Sequence, residues 1–152
     1  MKVLLQRVSR AEVRVEGEVV GRIGGGLVIF VGVEVGDQPS DVDYFADKSA
    51  ELRIFADDEG RMNLGLERCG GEALVVSQFT LAAGTRRGRR PSYSRAAPPE
   101  LARPLYERFA DRLAARGIRV GRGTFQAMME VELVNDGPVT LWLEPPARGE
   151  SP

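Results

Sequence analysis

The sequence predicts an α/β fold: a single compact domain of layered, mostly antiparallel sheets with two main helices on one side. Three observations carry this expectation. Short apolar or alternating runs, at residues 1–8, 11–15, 19–23, 27–33, 73–81 and 139–143, outnumber helical stretches. Only two segments hold a helical spacing of apolar residues, one from about Val42 and one from Pro98 to Gly117, and they lie far apart. A length of 152 residues, with 43% hydrophobic and 28% charged residues, suits one domain with its own core. The domain is expected over residues 1–144, with a flexible tail at 145–152.

Residues 1–8 read as a strand, and residues 11–15 as a second, half-buried one. Ala11, Val13 and Val15 alternate there with Glu12, Arg14 and Glu16. Glu16-Gly17-Glu18 is a hairpin turn. Gly24-Gly25-Gly26 suggests a phosphate loop, but no helix follows it and no Lys-Ser/Thr pair closes it, so it reads as a turn. Residues 27–33 are apolar enough for a buried strand. Ser40 or Asp41 is placed to cap the first helix, whose face is Val42, Phe45, Ala46, Ser49 and Ala50. Asp57-Asp58-Glu59-Gly60 lacks calcium-loop spacing and reads as a solvated turn.

Residues 73–81 start apolar and end polar. Strand alternation would put Leu74, Val76, Gln78 and Thr80 on one face. An amide and a hydroxyl at the end of a core strand either find partners or line a pocket. The second helix is expected to bury Leu101, Leu105, Phe109 and Leu113, with Pro104 weakening its first turn. Asn135-Asp136-Gly137-Pro138 reads as a turn before a last strand.

Composition excludes much chemistry. There is no histidine, so Ser–His and Cys–His nucleophile pairs are absent. One cysteine, Cys69, forms no internal disulfide, and without histidine a zinc site is not expected. No metal or other cofactor is expected. The net charge of −1 does not mark a nucleic-acid binder overall. Arg86, Arg87, Arg89 and Arg90 nevertheless form a dense basic cluster six residues after Thr80, suited to phosphate groups. No run has the length of a signal peptide core or a membrane span, so a cytoplasmic protein is expected.

Ser77-Gln78-Phe79-Thr80-Leu81, Gly88-Arg89-Arg90-Pro91-Ser92 and Asn135-Asp136-Gly137-Pro138-Val139-Thr140 together resemble the D-aminoacyl-tRNA deacylase family. Gln6-Arg7-Val8, Leu52-Arg53-Ile54-Phe55, Met62-Asn63-Leu64, Ala97-Pro98-Pro99-Glu100-Leu101 and Leu105-Tyr106-Glu107 fit the same pattern in order. The resemblance implies a homodimeric hydrolase that cleaves the ester between a D-amino acid and the 3′-terminal adenosine of tRNA. It implies pocket roles for Ser77, Gln78, Phe79 and Thr80, with Phe125 and Met129 as further lining. It implies that Gly137 and Pro138, joined by a cis bond, gate the partner subunit's pocket against L-amino acids. Glycyl-tRNA would partly escape that gate. Sequence alone leaves the Gly–Pro isomer open.

Thr80 is a nucleophile or a lining residue. A threonine with no base beside it is a poor nucleophile at neutral pH, whereas the ribose 2′-hydroxyl is already held beside the ester. Substrate-assisted hydrolysis is therefore favoured, with backbone N–H groups near Phe79 and Thr80 holding the oxyanion. Two alternatives stay open: a non-catalytic RNA- or nucleotide-binding module using residues 86–90, and a deacylase subtype for glycine or L-alanine esters. Ala82-Ala83-Gly84-Thr85, Arg87 and Met128 depart from the family pattern.

Overall fold

The computed structural model describes residues 1–146. The chain runs β1 (Lys2–Val15), β2 (Glu18–Ile23), β3 (Gly26–Gly32), α1 (Pro39–Glu51), β4 (Phe55–Ala56), β5 (Met62–Leu64), β6 (Glu72–Ser77), a 3-10 turn (Phe79–Ala82), α2 (Pro99–Ala115), β7 (Val120–Arg122) and β8 (Glu130–Leu143). Most of the tail expected at 145–152 lies outside the described residues. No described helix is long and apolar enough to cross a membrane.

Six strands form one sheet in the order β2-β1-β3-β6-β7, with β8 on the free edge of β1. The β1 pairings with β2, β3 and β8 are antiparallel, while β3–β6 and β6–β7 are parallel. β4 and β5 form a separate small hairpin. The sheet curls until β2 approaches β7. Two glycines permit this closure: a Cβ on Gly21 would stand 2.5 Å from the Arg122 carbonyl oxygen, and one on Gly121 3.4 Å from that of Arg22.

Both helices cover one face, as expected. Val3, Leu5, Leu27, Ile29, Val31, Ala73 and Val75 pack there against Phe45, Ala46, Phe109 and Leu113. The opposite, concave face holds a second core of Val8, Ala11, Val13, Ile23, Val28, Leu74 and Val76. In β1 the core residues change from odd to even numbers and back to odd. Register shifts around Val8 absorb that change, so the two strands expected at 1–8 and 11–15 are one bulged strand.

The local expectations differ from the structure at four places. α1 starts at Pro39, and Asp41 is its third residue, not its cap; the Asp41 carboxylate accepts the Gln38 N–H at 2.7 Å. α2 buries Ala102, Tyr106, Phe109, Ala110 and Leu113, while Leu101 is 56% exposed. Its buried stripe is rotated because Tyr106 turns inward to donate a hydrogen bond to the Val75 carbonyl at 2.8 Å. β6 ends at Ser77, so Gln78 and Thr80 do not continue strand alternation but enter the 3-10 turn.

The last difference concerns Asn135-Asp136-Gly137-Pro138, which is no chain reversal. It is a bulge inside β8: Gln6 pairs with Thr140, and Val8 already pairs with Asn135. Five residues of β8 thus span two of β1. The turn-forming residues bend the strand outward rather than back, and Pro138, lacking an N–H, costs the ladder no donor there.

Candidate active site

A cavity of about 690 Å³ opens where β6 ends. Val76 and Ser77 of β6, Gln78, Phe79 and Thr80 form one wall, Ala102 and Tyr106 of α2 a second, and residues 125–129 a third. The expected pocket residues Ser77, Gln78, Phe79, Thr80, Phe125 and Met129 are therefore brought together. Gln78 Nε2 donates to Thr80 Oγ1 across the turn. This bond satisfies both polar side chains that opened the question.

The 3-10 turn matters for its backbone. Its first internal donor is Leu81 N–H, bonded to the Gln78 carbonyl at 3.2 Å. The N–H groups of Phe79 and Thr80 precede it, and no acceptor among the described residues engages either. Two adjacent donors thus stay unpaired on residues that line the cavity, beside a hydroxyl. Among the described residues, no aspartate, glutamate, lysine, arginine or cysteine lines the cavity. The titratable group among them is Tyr106, whose phenol is pushed up to about 12 chiefly by burial and already donates to Val75. The site can orient and polarise a substrate, and no described residue that lines it is poised as a general base.

The mouth is apolar and exposed. Phe79 is 58% exposed and meets Tyr93 edge to face, with ring centroids 5.2 Å apart, and Met128 is 92% exposed. Arg86, Arg87, Arg89 and Arg90 lie on the exposed loop that follows, pinned at its base by paired backbone bonds between Gly84 and Ser92 of 2.7 and 2.9 Å. None of the four makes an ion pair among the described residues, so their donors are free for a ligand.

Gly137 and Pro138 do not line this cavity. They sit on the β8 bulge, which Arg7 holds at Asp136: Arg7 Nε donates to the Asp136 carbonyl at 3.2 Å, and its Nη1 to the Ile54 carbonyl at 2.5 Å. Asn135 braces the bulge from within: its Nδ2 donates to Thr140 Oγ1 at 2.9 Å, and with the amide turned over it would instead reach the Arg7 and Val139 carbonyls. The Gly137–Pro138 bond is trans, which corrects the cis bond implied by the resemblance. The trans isomer is the ordinary one, and Gly137 at φ +111° takes up the bend instead.

Sequence reasoning missed Tyr106, Ala102 and Arg7. Arg7 had a visible signal: strand alternation puts it on the face of Val3 and Leu5, where a charged group must find partners. The two helical residues had none, because apolar spacing alone puts the buried stripe of α2 one position off.

A family model described as D-Tyr-tRNA(Tyr) deacylase matches residues 4–144. A protein of Roseiflexus castenholzii called D-aminoacyl-tRNA deacylase is 62% identical over 144 residues, covering 95% of this chain and 92% of that protein. One of Symbiobacterium thermophilum with the same name is 55% identical over 95% of each chain. Among solved structures, one called c-Myc DNA Unwinding Element Binding Protein aligns with a TM-score of 0.90 and 36% identity, covering 97% of this chain and all of that one. A second, called a probable eukaryotic D-amino acid tRNA deacylase, shares the fold with a TM-score of 0.81 at 20% identity, covering 93% of this chain and 97% of that one. With that match running through every wall of the cavity, the chain belongs to the D-aminoacyl-tRNA deacylase family of hydrolases.

Proposed function

We propose that this protein hydrolyses the ester joining a D-amino acid to the 3′-terminal adenosine of tRNA, as chiral proofreading in the cytoplasm. The observation that carries the reading is the pair of free N–H groups, Phe79 and Thr80, in a cavity that no carboxylate, lysine or arginine lines among the described residues. Such a pair suits the oxyanion of an ester undergoing attack. Water supplies hydroxyl to the acyl carbon and a proton to the 3′ oxygen as the ester C–O bond breaks. The neighbouring 2′-hydroxyl relays that proton, since intramolecular placement is worth effective molarities of about 10⁵–10⁸ M. Thr80 lines the pocket and holds Gln78.

The protein acts as a homodimer. Phe79, Tyr93 and Met128 leave an apolar mouth that a second copy would cover. Gly137 and Pro138 lie away from their own chain's cavity, so any gating role places them in the partner's. There, bare carbonyls of the bulge would hold the substrate α-ammonium and occupy the space an L side chain needs. Glycyl esters, lacking a Cβ, would pass in part. Arg86, Arg87, Arg89 and Arg90 would contact tRNA phosphates.

The test is deacylation of D-tyrosyl-tRNA and L-tyrosyl-tRNA in parallel, with Thr80→Ala included. Cleavage of the D ester alone is expected, and Thr80→Ala should keep the rate within about tenfold. A dead variant would overturn the 2′-hydroxyl route, and cleavage of neither ester would overturn the reading.

Two observations favour other readings. The solved structure at 36% identity is named for binding a DNA element, which suits nucleic-acid binding without catalysis. That reading requires salt-sensitive binding with no ester cleavage. The trans Gly137–Pro138 bond suits a glycine or L-alanine subtype, which would cleave L-alanyl-tRNA in the same assay.

A further inference from the structure

Arg103 lies with its guanidinium over the face of Phe125, 4.9 Å from the ring centroid. Phe125 lines the cavity, and beyond it lies Tyr106 at a centroid distance of 5.8 Å. These three side chains form a stack that runs from the buried wall of the cavity to its rim, with the cation outermost. Arg103 is exposed.

This arginine differs from the others on its helix. Arg108, Arg112 and Arg116 are each held by carboxylates at 2.7–3.1 Å, from Asp43, Asp47, Glu51 and Glu67. Arg103 makes no ion pair among the described residues. An aromatic face fixes a guanidinium through its plane and leaves the N–H donors along its edge free. Among the described residues, no carboxylate lines the cavity itself. Arg103 is thus an oriented bidentate donor beside the cavity, without an ion-pair partner among the described residues. It stands on α2, whereas the residue 86–90 cluster follows the 3-10 turn on the opposite wall.

The inference rests on the deacylase reading above. If the ester sits at the Phe79 and Thr80 N–H groups, the terminal adenosine must leave the cavity toward its mouth. One anion is attached directly to that nucleoside: the 5′ phosphodiester that links it to the preceding nucleotide. We propose that Arg103 binds this phosphate, and that it makes the enzyme select esters carried on a polynucleotide over free aminoacyl nucleosides. The residue 86–90 cluster then serves phosphates farther along the strand.

The test compares three D-tyrosyl esters: of adenosine, of adenosine 5′-phosphate, and of tRNA. Wild type, Arg103→Gln and Arg103→Lys are assayed on each. For the nucleotide and the tRNA, Arg103→Gln is expected to lower kcat/KM about tenfold more than for the nucleoside, through KM. Arg103→Lys should recover part of the loss, keeping the charge without the fork. On tRNA the Gln variant should also lower the slope of log KM against log salt by about one. An equal loss on all three esters would mean that Arg103 only steadies Phe125, and would overturn the assignment. So would a loss on none, or a loss confined to tRNA. Wild-type protein that cleaves none of the three overturns the deacylase reading itself, and this assignment with it.

Discussion

Gly137 shows how much one residue can carry. Its φ of +111° lies in a region that L side chains rarely adopt, and a Cβ there would collide with the Arg7 guanidinium. Arg7 is the group that ties the bulge to Asp136 and Ile54. Gly137→Ala is therefore expected to strain the backbone and to displace Arg7 together. The stability cost should be about 1–3 kcal/mol, read as a shift in the denaturation midpoint. D-ester cleavage should fall further than stability does, because the bulge moves. A variant with wild-type activity and stability would show that neither the φ nor the Arg7 contact matters. At this scale the sequence was informative where chemistry is local. Ser77, Gln78, Phe79 and Thr80 are legible because polar residues closing an apolar run demand partners. Gly137 and Pro138 announced an unusual backbone but not its form: their turn propensity serves a bulge as readily as a reversal, and only pairing with Gln6 and Val8 decides between them.

At the scale of elements, α1 and α2 are joined by a ladder of charges. Arg108 grips Asp43 with two bonds of 2.8 and 2.7 Å, and Arg112 grips Asp47 with two of 2.9 and 2.7 Å. Arg116 closes the ladder on Asp47, Glu51 and Glu67. The hydrogen bond from Arg108 holds the Asp43 carboxyl below its ordinary 3.8, and that from Arg112 does the same for Asp47. A carboxylate whose folded value is lowered adds stability above the unfolded value, and loses it as pH falls through the folded one. The ladder's contribution is therefore complete above about pH 4 and fades below it. A double variant, Asp43→Asn with Asp47→Asn, should melt a few degrees lower than wild type at pH 7, corresponding to about 1–2 kcal/mol. The gap should narrow as pH falls below about 4 and shrink in high salt. A gap that holds constant down to pH 3 would remove the ladder from the stability of the helix pair. The four-residue spacing of Asp43, Asp47 and Glu51, and of Arg108, Arg112 and Arg116, is plain in the sequence. Which helix each row faces is not, since it depends on how two distant segments pack.

At the scale of the whole molecule, the question is where Gly137 and Pro138 would act if they gate a pocket. The two-helix, mostly antiparallel design was readable from alternation and apolar runs. The parallel β3–β6–β7 pairings and the closure of β2 toward β7 were not, because they join segments far apart in sequence. Gly137 and Pro138 do not line the cavity of their own chain, so a gate built on them and the pocket would not meet within it. If they meet between two copies, each active site takes its pocket from one chain and its gate from the other. Two variants make this measurable. Ser77→Phe fills the cavity, and Gly137→Leu disrupts the bulge; each alone should be inactive on D-tyrosyl-tRNA. Unfolded together and refolded at equal concentration, random pairing makes about half the dimers mixed, and each mixed dimer joins one intact pocket to one intact gate. About a quarter of the wild-type activity should return. Cavity and gate acting within one chain would return none, because no single chain in the mixture carries both. Recovery that grows with total protein concentration before mixing is complete would further mark the active species as the pair.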